Sequence, residues 1–506
     1  MTHPGPGDGD AATEGGADAL PERLRGALAR AGFTYHGVSQ LLGEQGHAAL
    51  SRNETTPGLR ATTGGSPLET LTRLFLLQVP VTVQQAEHAL PGLLDALAVA
   101  GLVEQSVGEV AARLDVRPYA SDDSSSPDLW VLSDLTPGLD GGPQRVGADH
   151  VLGVSPASTS LAQLTVREPV ERSLDLGTGC GVQALHLARH SEVVVATDVN
   201  RRALWMTRFN AHLNGLEEIS RIDVREGSFF EPVAHDRFDL IATNPPFVIS
   251  PATGERLVYR DSGLPGDRVV EQIVRRGPEL LTDGGWCQVL ANWVIADGVE
   301  WQDRLATWVP DDCSALVVQR EVLDPASYVE LWLKDAGVHG APDYRERYDT
   351  WLSWFADQGI AAVGFGWFNL RKGGTAREFL DWPYEVEQPI APAIAAWGQA
   401  RAGAADPAAL EAARLVLRPD VLQETRGAPG APDPETIVLR QQRGFRRARQ
   451  VDTVEAAVVG ACDGELSVGQ LLDAVAELLE QDPAALRERY LPVLAELIAQ
   501  GFLEPA

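Results

Sequence analysis

The spacing of hydrophobic positions changes twice along the chain and divides it into three stretches. Residues 20–145 have mostly helical spacing, as in LPERLRGALARAGF and LPGLLDALAVAGLVE. Residues 146–373 alternate short apolar runs with amphipathic segments, and residues 374–506 are again mainly helical. The pattern predicts a central domain between two mainly helical modules. Residues 1–19 are polar, acidic and glycine-rich, which predicts a flexible tail.

The central stretch contains seven short runs that are predicted to be strands, with helical segments between them. Strands that alternate with helices are typical of a doubly wound, mostly parallel sheet. The central domain is therefore predicted to be α/β. The seven runs are SLDLG, EVVVATD, RIDVREG, FDLIATN, GWCQVLANW, CSALVVQREV and IAAVGFGWFNL.

The flanking stretches show features of winged-helix modules. In the first, a glycine- and threonine-rich linker, TTPGLRATTGGSP, interrupts the helices. Two β-like pieces, EVAARLDVRPYA and PDLWVLSDL, come later, and DDSSSP between them would be the tip of the wing. In the last stretch, GAPGAPDP indicates a linker, and LIAQGFLE echoes LAVAGLVE near residue 100. The echo suggests a second winged-helix-like module.

Composition narrows the classes of function. The net charge of −29 counts against a protein that coats nucleic acid nonspecifically. The four cysteines are far apart in the sequence, which suggests neither a zinc site nor a disulfide framework. The sequence contains no apolar run that could span a bilayer, and its beginning lacks the features of a signal peptide. These features predict a cytoplasmic protein with no bound metal.

The first strand of the central domain runs into a glycine loop, LDLGTGCG, at Leu174 to Gly181. Glycines allow a sharp turn and let a ligand approach main-chain N–H groups at a helix start, although a plain tight turn explains them equally well. Asp198 ends the second strand, where a carboxylate can accept ribose hydroxyls. The loop departs from the dinucleotide pattern. It begins with Asp175, which would repel a pyrophosphate but suits an ammonium group.

The fourth strand ends in TNPPF, Thr243 to Phe247. An ordinary turn is one interpretation, because Asn-Pro often begins a turn. The other is that these residues hold a planar nitrogen. The side-chain oxygen of Asn244 and the carbonyl of Pro245 can accept its N–H hydrogens and direct its lone pair, while the prolines fix the backbone. The ring of Phe247 can lie on the planar group.

Together, DLGTGCG, the acid at Asp198 and NPPF resemble the class I S-adenosylmethionine-dependent methyltransferases. More narrowly, the chain is similar to the subgroup with an Asn-Pro-Pro-Tyr/Phe motif. That subgroup contains release-factor glutamine, adenine-N6 and rRNA guanine-N2 methyltransferases. The stretch NPPFVISP is most like the release-factor group. The resemblance covers residues 146–373 and implies a Rossmann-like core of seven strands with S-adenosylmethionine as cofactor.

The resemblance also implies roles for individual residues. The third strand ends in GSFF, which would border the adenine, and the family often has an acid where this chain has Ser228. A hydroxyl, or the main chain at Phe229, would then make that contact. The implied cofactor-binding residues are Asp175, Gly177, Thr178, Gly179, Asp198, Ser228 and Phe229, and the implied catalytic residues are Asn244, Pro245, Pro246 and Phe247.

The favoured hypothesis is an N-methyltransferase that acts on a planar amide or amino nitrogen. The net charge and the release-factor-like loop favour a glutamine amide of a protein. An RNA or DNA base is an alternative substrate, because LRQQRGFRRARQ could contact phosphates. This stretch could equally be a strand face paired with nearby acids. A small metabolite is a third option. A non-catalytic winged-helix protein with a vestigial core is an alternative from another class. The arginines concerned are Arg440, Arg443, Arg446, Arg447 and Arg449.

Overall fold

The computed structural model describes residues 19–120, 128–141, 146–216, 220–251, 263–338, 340–403, 407–429 and 434–506. The predicted tail, except Ala19, and the predicted wing tip DDSSSP lie outside these ranges, and the linker GAPGAPDP lies partly outside them.

The helices and strands are numbered in chain order. The helices are α1 (Ala19–Arg30), α2 (Tyr35–Leu50), α3 (Thr56–Ala61), α4 (Pro67–Leu71), α5 (Val83–Ala89), α6 (Leu94–Val99), α7 (Pro156–Leu164), α8 (Val182–Leu187), α9 (Arg201–Asn214), α10 (Arg268–Arg276), α11 (Trp301–Ala306), α12 (Pro325–Asp335), α13 (Tyr344–Asp357), α14 (Ala391–Gly403), α15 (Pro407–Ala412), α16 (Thr453–Gly460), α17 (Val468–Leu478) and α18 (Pro483–Ala499). The strands are β1 (Val81–Thr82), β2 (Val103–Ser106), β3 (Glu109–Ala112), β4 (Leu114–Tyr119), β5 (Leu129–Asp134), β6 (Val170–Leu176), β7 (Ser191–Asp198), β8 (Arg221–Glu226), β9 (Phe238–Thr243), β10 (Leu281–Ala296), β11 (Cys313–Leu323), β12 (Ile360–Asp381), β13 (Arg414–Leu417), β14 (Val421–Arg426), β15 (Thr436–Gln441), β16 (Ala448–Val451), β17 (Asp463–Ser467) and β18 (Leu503–Pro505). A π-helical turn at Thr72–Leu76 continues α4.

A seven-stranded sheet forms the centre of the molecule, in the order β11-β12-β10-β9-β6-β7-β8. Strands β8, β7, β6, β9 and β10 are parallel, and β12 is antiparallel to both of its neighbours. The prediction of a doubly wound, mostly parallel α/β domain is confirmed. All seven runs predicted to be strands form strands of this sheet.

Helices cover both faces of the sheet. On one face, α7, α8 and α9 contribute Leu161, Leu185 and Met206 to a large core. On the other face, α10 and α11 contribute Ile273 and Leu305 to a second core. Neighbouring residues of β7 alternate between the two cores because successive side chains of a strand point to opposite faces.

The sheet extends beyond residue 373, where the sequence predicted the end of the domain. Strand β12 turns at Gly373 and Gly374, both of which have positive φ angles of 87° and 81°. Its second part then pairs with β11, from Ala315 with Arg377 to Gln319 with Asp381. Strand β11 therefore lies between the two parts of β12.

The N-terminal module contains helices and a three-stranded sheet of order β1-β3-β2. The stretch TTPGLRATTGGSP is not a linker, so that prediction is wrong: it contains α3, and Ser66 caps α4 in a capping box with Glu69. The segment EVAARLDVRPYA also differs from its prediction, because it splits into β3 and β4, which belong to different sheets. The described hairpin turns at Val107 and Gly108, between β2 and β3.

The echo between the two flanking modules corresponds to the same local structure. Gly101 and Gly501 each end a helix with a positive φ angle, 76° and 77°. The next residues, Leu102 and Phe502, are fully buried and donate their N–H groups to Leu97 and Leu497. Each site is thus a glycine helix stop followed by a hydrophobic anchor and a strand. Within the described residues, no helix is long and apolar enough to cross a membrane.

Candidate active site

The candidate site lies where the chain order of the sheet reverses. From β6 the chain continues to β7 on one side, whereas β9 continues to β10 on the other. Ligands of doubly wound sheets bind beyond the carboxyl ends of the strands at such a point. Leu176 and Thr243 are register partners, and the Thr243 hydroxyl donates to the Leu176 carbonyl at 2.7 Å. The glycine loop and the Asn-Pro-Pro-Phe segment therefore start side by side.

A cavity of about 240 Å³ opens between these two segments. It brings together almost all of the site residues predicted from the sequence. The predicted residues that line it are Asp175, Gly177, Thr178, Gly179, Asp198, Ser228, Phe229, Asn244, Pro245 and Pro246.

The buried side chain of Asp175 stabilises the glycine loop through hydrogen bonds. This side chain is 1% exposed and accepts hydrogen bonds from the Thr178 hydroxyl at 2.6 Å and the Ala184 N–H at 2.9 Å. Burial raises the pKa of this carboxyl to about 7, although both hydrogen bonds oppose the shift. Burial thus favours the protonated form of Asp175, and a cation beside it would favour the charged one.

The loop needs glycines at the turns that bring its main chain to the cavity. Gly177, Gly179 and Gly181 have φ angles of 76°, 57° and 89°, a region that disfavours side chains. A Cβ at Gly181 would also lie 3.1 Å from the Thr207 methyl group. The glycine pattern in the sequence thus reports a close approach between the loop and α9.

Asp198 links the end of β7 to the loop. One of its oxygens accepts the Gly179 N–H at 3.0 Å, and the other accepts the Asn200 N–H at 2.8 Å. Burial raises the pKa of this carboxyl, while those N–H groups lower it. A carboxylate oxygen has two acceptor sites, so each can take one further donor from the cavity.

Ser228 and Phe229 line the cavity beyond β8. The Gly227 N–H donates to the main-chain carbonyl of Asp198 at 3.0 Å, which brings this turn next to the end of β7. Phe229 has a positive φ angle of 46°, uncommon for an aromatic residue. The turn is therefore held in a restrained conformation at the cavity wall.

Asn244 is a residue of the cavity wall with unmet hydrogen-bonding capacity. Its side-chain oxygen is shielded from solvent, yet it has no hydrogen-bond partner in the described part of the chain. A buried carbonyl without a donor destabilises a protein by about 1–3 kcal/mol. Such a cost persists at a functional position, where a ligand supplies the missing donor.

Phe247 occupies a different place from the other three residues of its motif. It is not among the residues that line the cavity. Its ring instead makes an edge-to-face contact with Trp332 of α12, with centroids 6.3 Å apart. Helix α12 also holds the next residues, because the Tyr328 hydroxyl accepts the Ile249 N–H at 2.9 Å. The α12–α13 hairpin therefore borders the site beside the Asn-Pro-Pro-Phe segment.

Part of the cavity wall was not anticipated from the sequence. It consists of the segment before α7 and the first turn of that helix: His150, Val151, Leu152, Gly153, Ser155 and Ser158. Asp134 of β5 holds this segment by accepting the Val151 N–H at 2.8 Å. Gly153 packs so closely that a Cβ there would lie 2.5 Å from the Ser133 hydroxyl. Burial lowers the pKa of His150, which favours its neutral form. The sequence signal that could have indicated this part of the wall is SPAS, a helix-capping pattern in which Ser155 caps α7.

The arginine-rich segment does not form an open basic groove. Each of its five arginines has a glutamate partner: Arg440 with Glu424, Arg443 with Glu387, Arg446 with Glu385, Arg447 with Glu378 and Arg449 with Glu455. The interpretation as a strand face paired with acids fits this arrangement, and nucleic-acid contact through these residues gains no support. Among the described residues, no group of His, Cys, Asp or Glu is arranged to hold a metal ion.

Family models match three parts of the chain. Residues 153–296 match the "Methyltransferase small domain". Residues 30–113 and 395–505 match two models that are each described as a "Domain of unknown function", DUF7059 and DUF7782. The methyltransferase match includes both the glycine loop and the Asn-Pro-Pro-Phe segment. The other two matches fall on the flanking modules.

Curated relatives align with the same central region. A ribosomal protein uL3 glutamine methyltransferase of Bradyrhizobium diazoefficiens is 39% identical over 127 residues, 23% of this chain and 39% of the relative. A release factor glutamine methyltransferase of Geobacter sulfurreducens is 34% identical over 128 residues, 23% of this chain and 43% of the relative. The chain thus spans less than half the length of these relatives.

Among solved structures, an rRNA methylase from Streptococcus thermophilus aligns at 15% identity with a TM-score of 0.24, over 43% of this chain and 94% of that one. A score that low adds nothing to the sheet topology described above. The sheet order and the sequence motifs agree with the family match. Residues 153–296 form a methyltransferase small domain, and this domain belongs to the class I S-adenosylmethionine-dependent methyltransferases of the Asn-Pro-Pro-Tyr/Phe subgroup.

Proposed function

We propose that the protein is an N-methyltransferase that methylates a planar amide nitrogen, and that this nitrogen belongs to a glutamine side chain of a protein. The observation that carries the proposal is the buried, unpartnered side-chain oxygen of Asn244 beside the cavity. A planar amide carries the N–H donors that this oxygen lacks.

The residues around the cavity fit S-adenosylmethionine. Asp175 would face the ammonium end of the methionine part, since burial favours its neutral form and a nearby cation would favour the charged one. Asp198 retains acceptor capacity for ribose hydroxyls, and Ser228 with Phe229 would border the adenine. When bound, this cofactor supplies a methyl group on a sulfonium, which is an excellent leaving group.

The Asn-Pro-Pro-Phe segment would prepare the acceptor nitrogen. The lone pair of an amide nitrogen is delocalised, so the nitrogen is a poor nucleophile. The oxygen of Asn244 and the carbonyl of Pro245 would accept its two hydrogens and turn the lone pair out of the amide plane. Both proline rings restrict the backbone, so the acceptors are positioned before substrate arrives. Catalysis is then mainly orientation. Once methylated, the nitrogen is strongly acidic and releases one of its protons to water, so no strong base is required.

Three observations favour a protein amide over a nucleic-acid base. The relatives described above are named for glutamine methylation of a ribosomal protein or a release factor. The net charge of −29 would repel phosphates. The five arginines that were candidates for phosphate contacts are paired with glutamates.

A labelling experiment tests the proposal. The full chain and its Asn244→Ala variant are incubated with methyl-labelled S-adenosylmethionine and an extract of the source cells. The products are treated with protease, RNase or DNase, and labelled protein is hydrolysed to amino acids. We expect label that requires Asn244, survives nucleases, is released by protease and is recovered as methylated glutamine.

The other outcomes are informative. Loss of label on nuclease treatment would show that the substrate is a nucleic-acid base and not a glutamine, which would overturn the substrate part of the proposal. Label that does not depend on Asn244 would overturn the role of this residue. If the wild-type chain does not bind S-adenosylhomocysteine in isothermal titration calorimetry, the enzyme assignment itself fails.

A further inference from the structure

A strand of the N-terminal module lies along helix α9 of the methyltransferase domain, and two asparagines connect them. The Asn210 side chain accepts the Leu132 N–H at 2.8 Å and donates to the Leu132 carbonyl at 2.9 Å. The Asn214 side chain makes the same pair of bonds with Trp130, both at 2.8 Å. Each asparagine thus pairs with one strand residue as a neighbouring strand would.

The spacing of the two elements explains why the contacts repeat. Four helical residues span about 6 Å, and two strand residues span about 6.6 Å. A helix residue and its neighbour one turn on can therefore reach alternate residues of a strand. Strand β5 pairs with β4 on its other side, so the asparagines satisfy an edge that would otherwise be open.

Asn210 makes one contact that Asn214 does not. Its Nδ2 also donates to the carbonyl of Cys180, in the glycine loop, at 2.7 Å. The Thr207 hydroxyl, on the same helix, donates to the Gly179 carbonyl at 3.0 Å. The Nδ2 of Asn214 makes its other donation to the Asn210 carbonyl instead, at 2.8 Å. Helix α9 therefore holds two successive carbonyls of the loop, and one of them through a side chain that also holds β5.

The end of β5 reaches the opposite wall of the same cavity. The Asp134 N–H donates to the Val151 carbonyl at 3.2 Å, and the Asp134 carboxylate accepts the Val151 N–H. Arg202 of α9 donates to that carboxylate with its Nε at 3.1 Å. Strand β5 is thus connected to the cavity through Asn210 and the glycine loop on one side and through the segment before α7 on the other.

We infer that Asn210 is a positioning residue for cofactor binding, and that it couples docking of the N-terminal module to the shape of the glycine loop. The inference rests on the cofactor assignment in the proposed function. It makes β5, which lies outside the methyltransferase family match, a working part of the cofactor site. Coupling between two binding equilibria is reciprocal, so cofactor binding also secures the module.

The matched pair Asn210→Ala and Asn214→Ala tests the coupling in the full chain. Both variants lose two hydrogen bonds to β5, but only Asn210→Ala loses the bond to the loop. Isothermal titration with S-adenosylhomocysteine should show about tenfold weaker binding for Asn210→Ala and wild-type affinity for Asn214→Ala. Both variants should have lower melting temperatures. In kinetics, the cofactor KM should rise for Asn210→Ala while kcat at saturating cofactor is retained.

A second variant covers the case in which Asn210→Ala does not fold. Thr207→Val keeps the shape of the side chain and every contact with β5, but removes the bond to the Gly179 carbonyl. It should weaken binding severalfold without releasing the module. Hydrogen exchange should also show slower exchange of the Leu132 amide in the wild type after S-adenosylhomocysteine is added.

The outcomes separate this inference from the proposed function. If the wild type binds S-adenosylhomocysteine and all variants bind it equally, or both asparagine variants lose the same affinity, Asn210 is not a positioning residue for cofactor binding and the enzyme assignment stands. If the wild type does not bind, both are overturned.

Discussion

The glycine loop and the Asn-Pro-Pro-Phe segment follow adjacent strands, yet their polar groups are satisfied to different degrees. In the loop, both oxygens of Asp198 accept main-chain N–H groups, and Asp175 accepts two hydrogen bonds. At the end of β9, the oxygen of Asn244 has no partner among the described residues. In the proposed function, the chain itself completes much of the cofactor half of the site, whereas a substrate would supply the donor missing from the acceptor half.

This difference predicts that substitutions in the two halves have different consequences. A change in the loop removes bonds that exist in the free protein, so it should alter cofactor affinity and often stability. A change at Asn244 removes a group that is costly in the free protein and useful only with substrate bound. It should alter the rate and leave the free protein intact.

The largest effect is expected for Asn244→Ala. With the acceptor protein found by labelling, kcat should fall by about 100- to 1000-fold, as for the loss of one preorganised polar group in other enzymes. The affinity for S-adenosylhomocysteine should stay within about twofold. Because a buried unpaired oxygen is removed, the melting temperature should stay the same or rise. A clear drop in melting temperature would show that Asn244 has a structural partner and would end the comparison.

The next largest effect is expected for Asp198→Asn. A ribose hydroxyl would lose a charged acceptor, and hydrogen bonds to charged groups contribute about 1.5–3 kcal/mol, so the affinity for S-adenosylhomocysteine should fall by about 10- to 100-fold. Titration calorimetry measures this change, and kcat at saturating cofactor should be retained.

Asp239 provides the matched control for Asp198. Its carboxylate also accepts two main-chain N–H groups, from Glu171 at 3.1 Å and Arg172 at 3.0 Å, near the starts of β9 and β6 and away from the cavity. Asp239→Asn should lower the melting temperature without changing affinity. Equal losses of affinity in both variants would mean that the effect comes from general loosening of the sheet.

Titration of Asp175 should change folding stability and cofactor affinity in opposite directions as pH rises, and both changes should be smaller than the effects above. Burial raises the pKa of this carboxyl from 3.8 to about 7 in the folded chain. Between these values, the folded state holds a proton that the unfolded state has lost, so this group's contribution to stability falls as pH rises through about 7. Binding of an ammonium group favours the charged form, so the affinity for S-adenosylhomocysteine should rise over the same window, by at most about tenfold per pH unit.

Denaturant unfolding and titration calorimetry between pH 5 and 8, from inside the window to roughly one unit above it, measure both signs. Asp198 also has a raised pKa, so the quantity to compare is the difference between the wild type and Asp175→Asn. The variant should show a flatter dependence in both measurements. If its affinity keeps the wild-type pH dependence, Asp175 does not face the ammonium end of the cofactor.

Much of this arrangement was predictable from local sequence. Most strands of the central sheet contain an apolar run, and the glycines at 177, 179 and 181 mark turns that require positive φ angles. The two motifs were predicted to act together, and the register pairing of Leu176 with Thr243 places them side by side. These features depend on residues that are close in sequence or on the general topology of parallel sheets.

The rest depends on contacts between distant segments. Nothing near Asp134 indicates that it would hold Val151 at the cavity wall, because that contact requires β5 to lie along α9. The linker prediction for TTPGLRATTGGSP was wrong because its composition resembles a loop, whereas Gly58 packs against Leu77 in a buried turn of helix. The ring contact between Phe247 and Trp332 was not predicted, because Trp332 follows Phe247 by 85 positions in the sequence.

The smallest effect is expected at Phe247, which lies outside the cavity and packs against Trp332. A contact between two aromatic rings contributes about 0.5–1.5 kcal/mol, so Phe247→Leu should raise the KM for the acceptor protein by about two- to tenfold. The affinity for S-adenosylhomocysteine should not change, because the cofactor half does not include this ring. Trp332→Leu is the matched control, and it should give a similar rise if the two rings form one wall of the acceptor site. A fall in cofactor affinity in either variant would show that the two halves of the site are not separate, and the distinction between a completed and an open half would then apply only to Asn244.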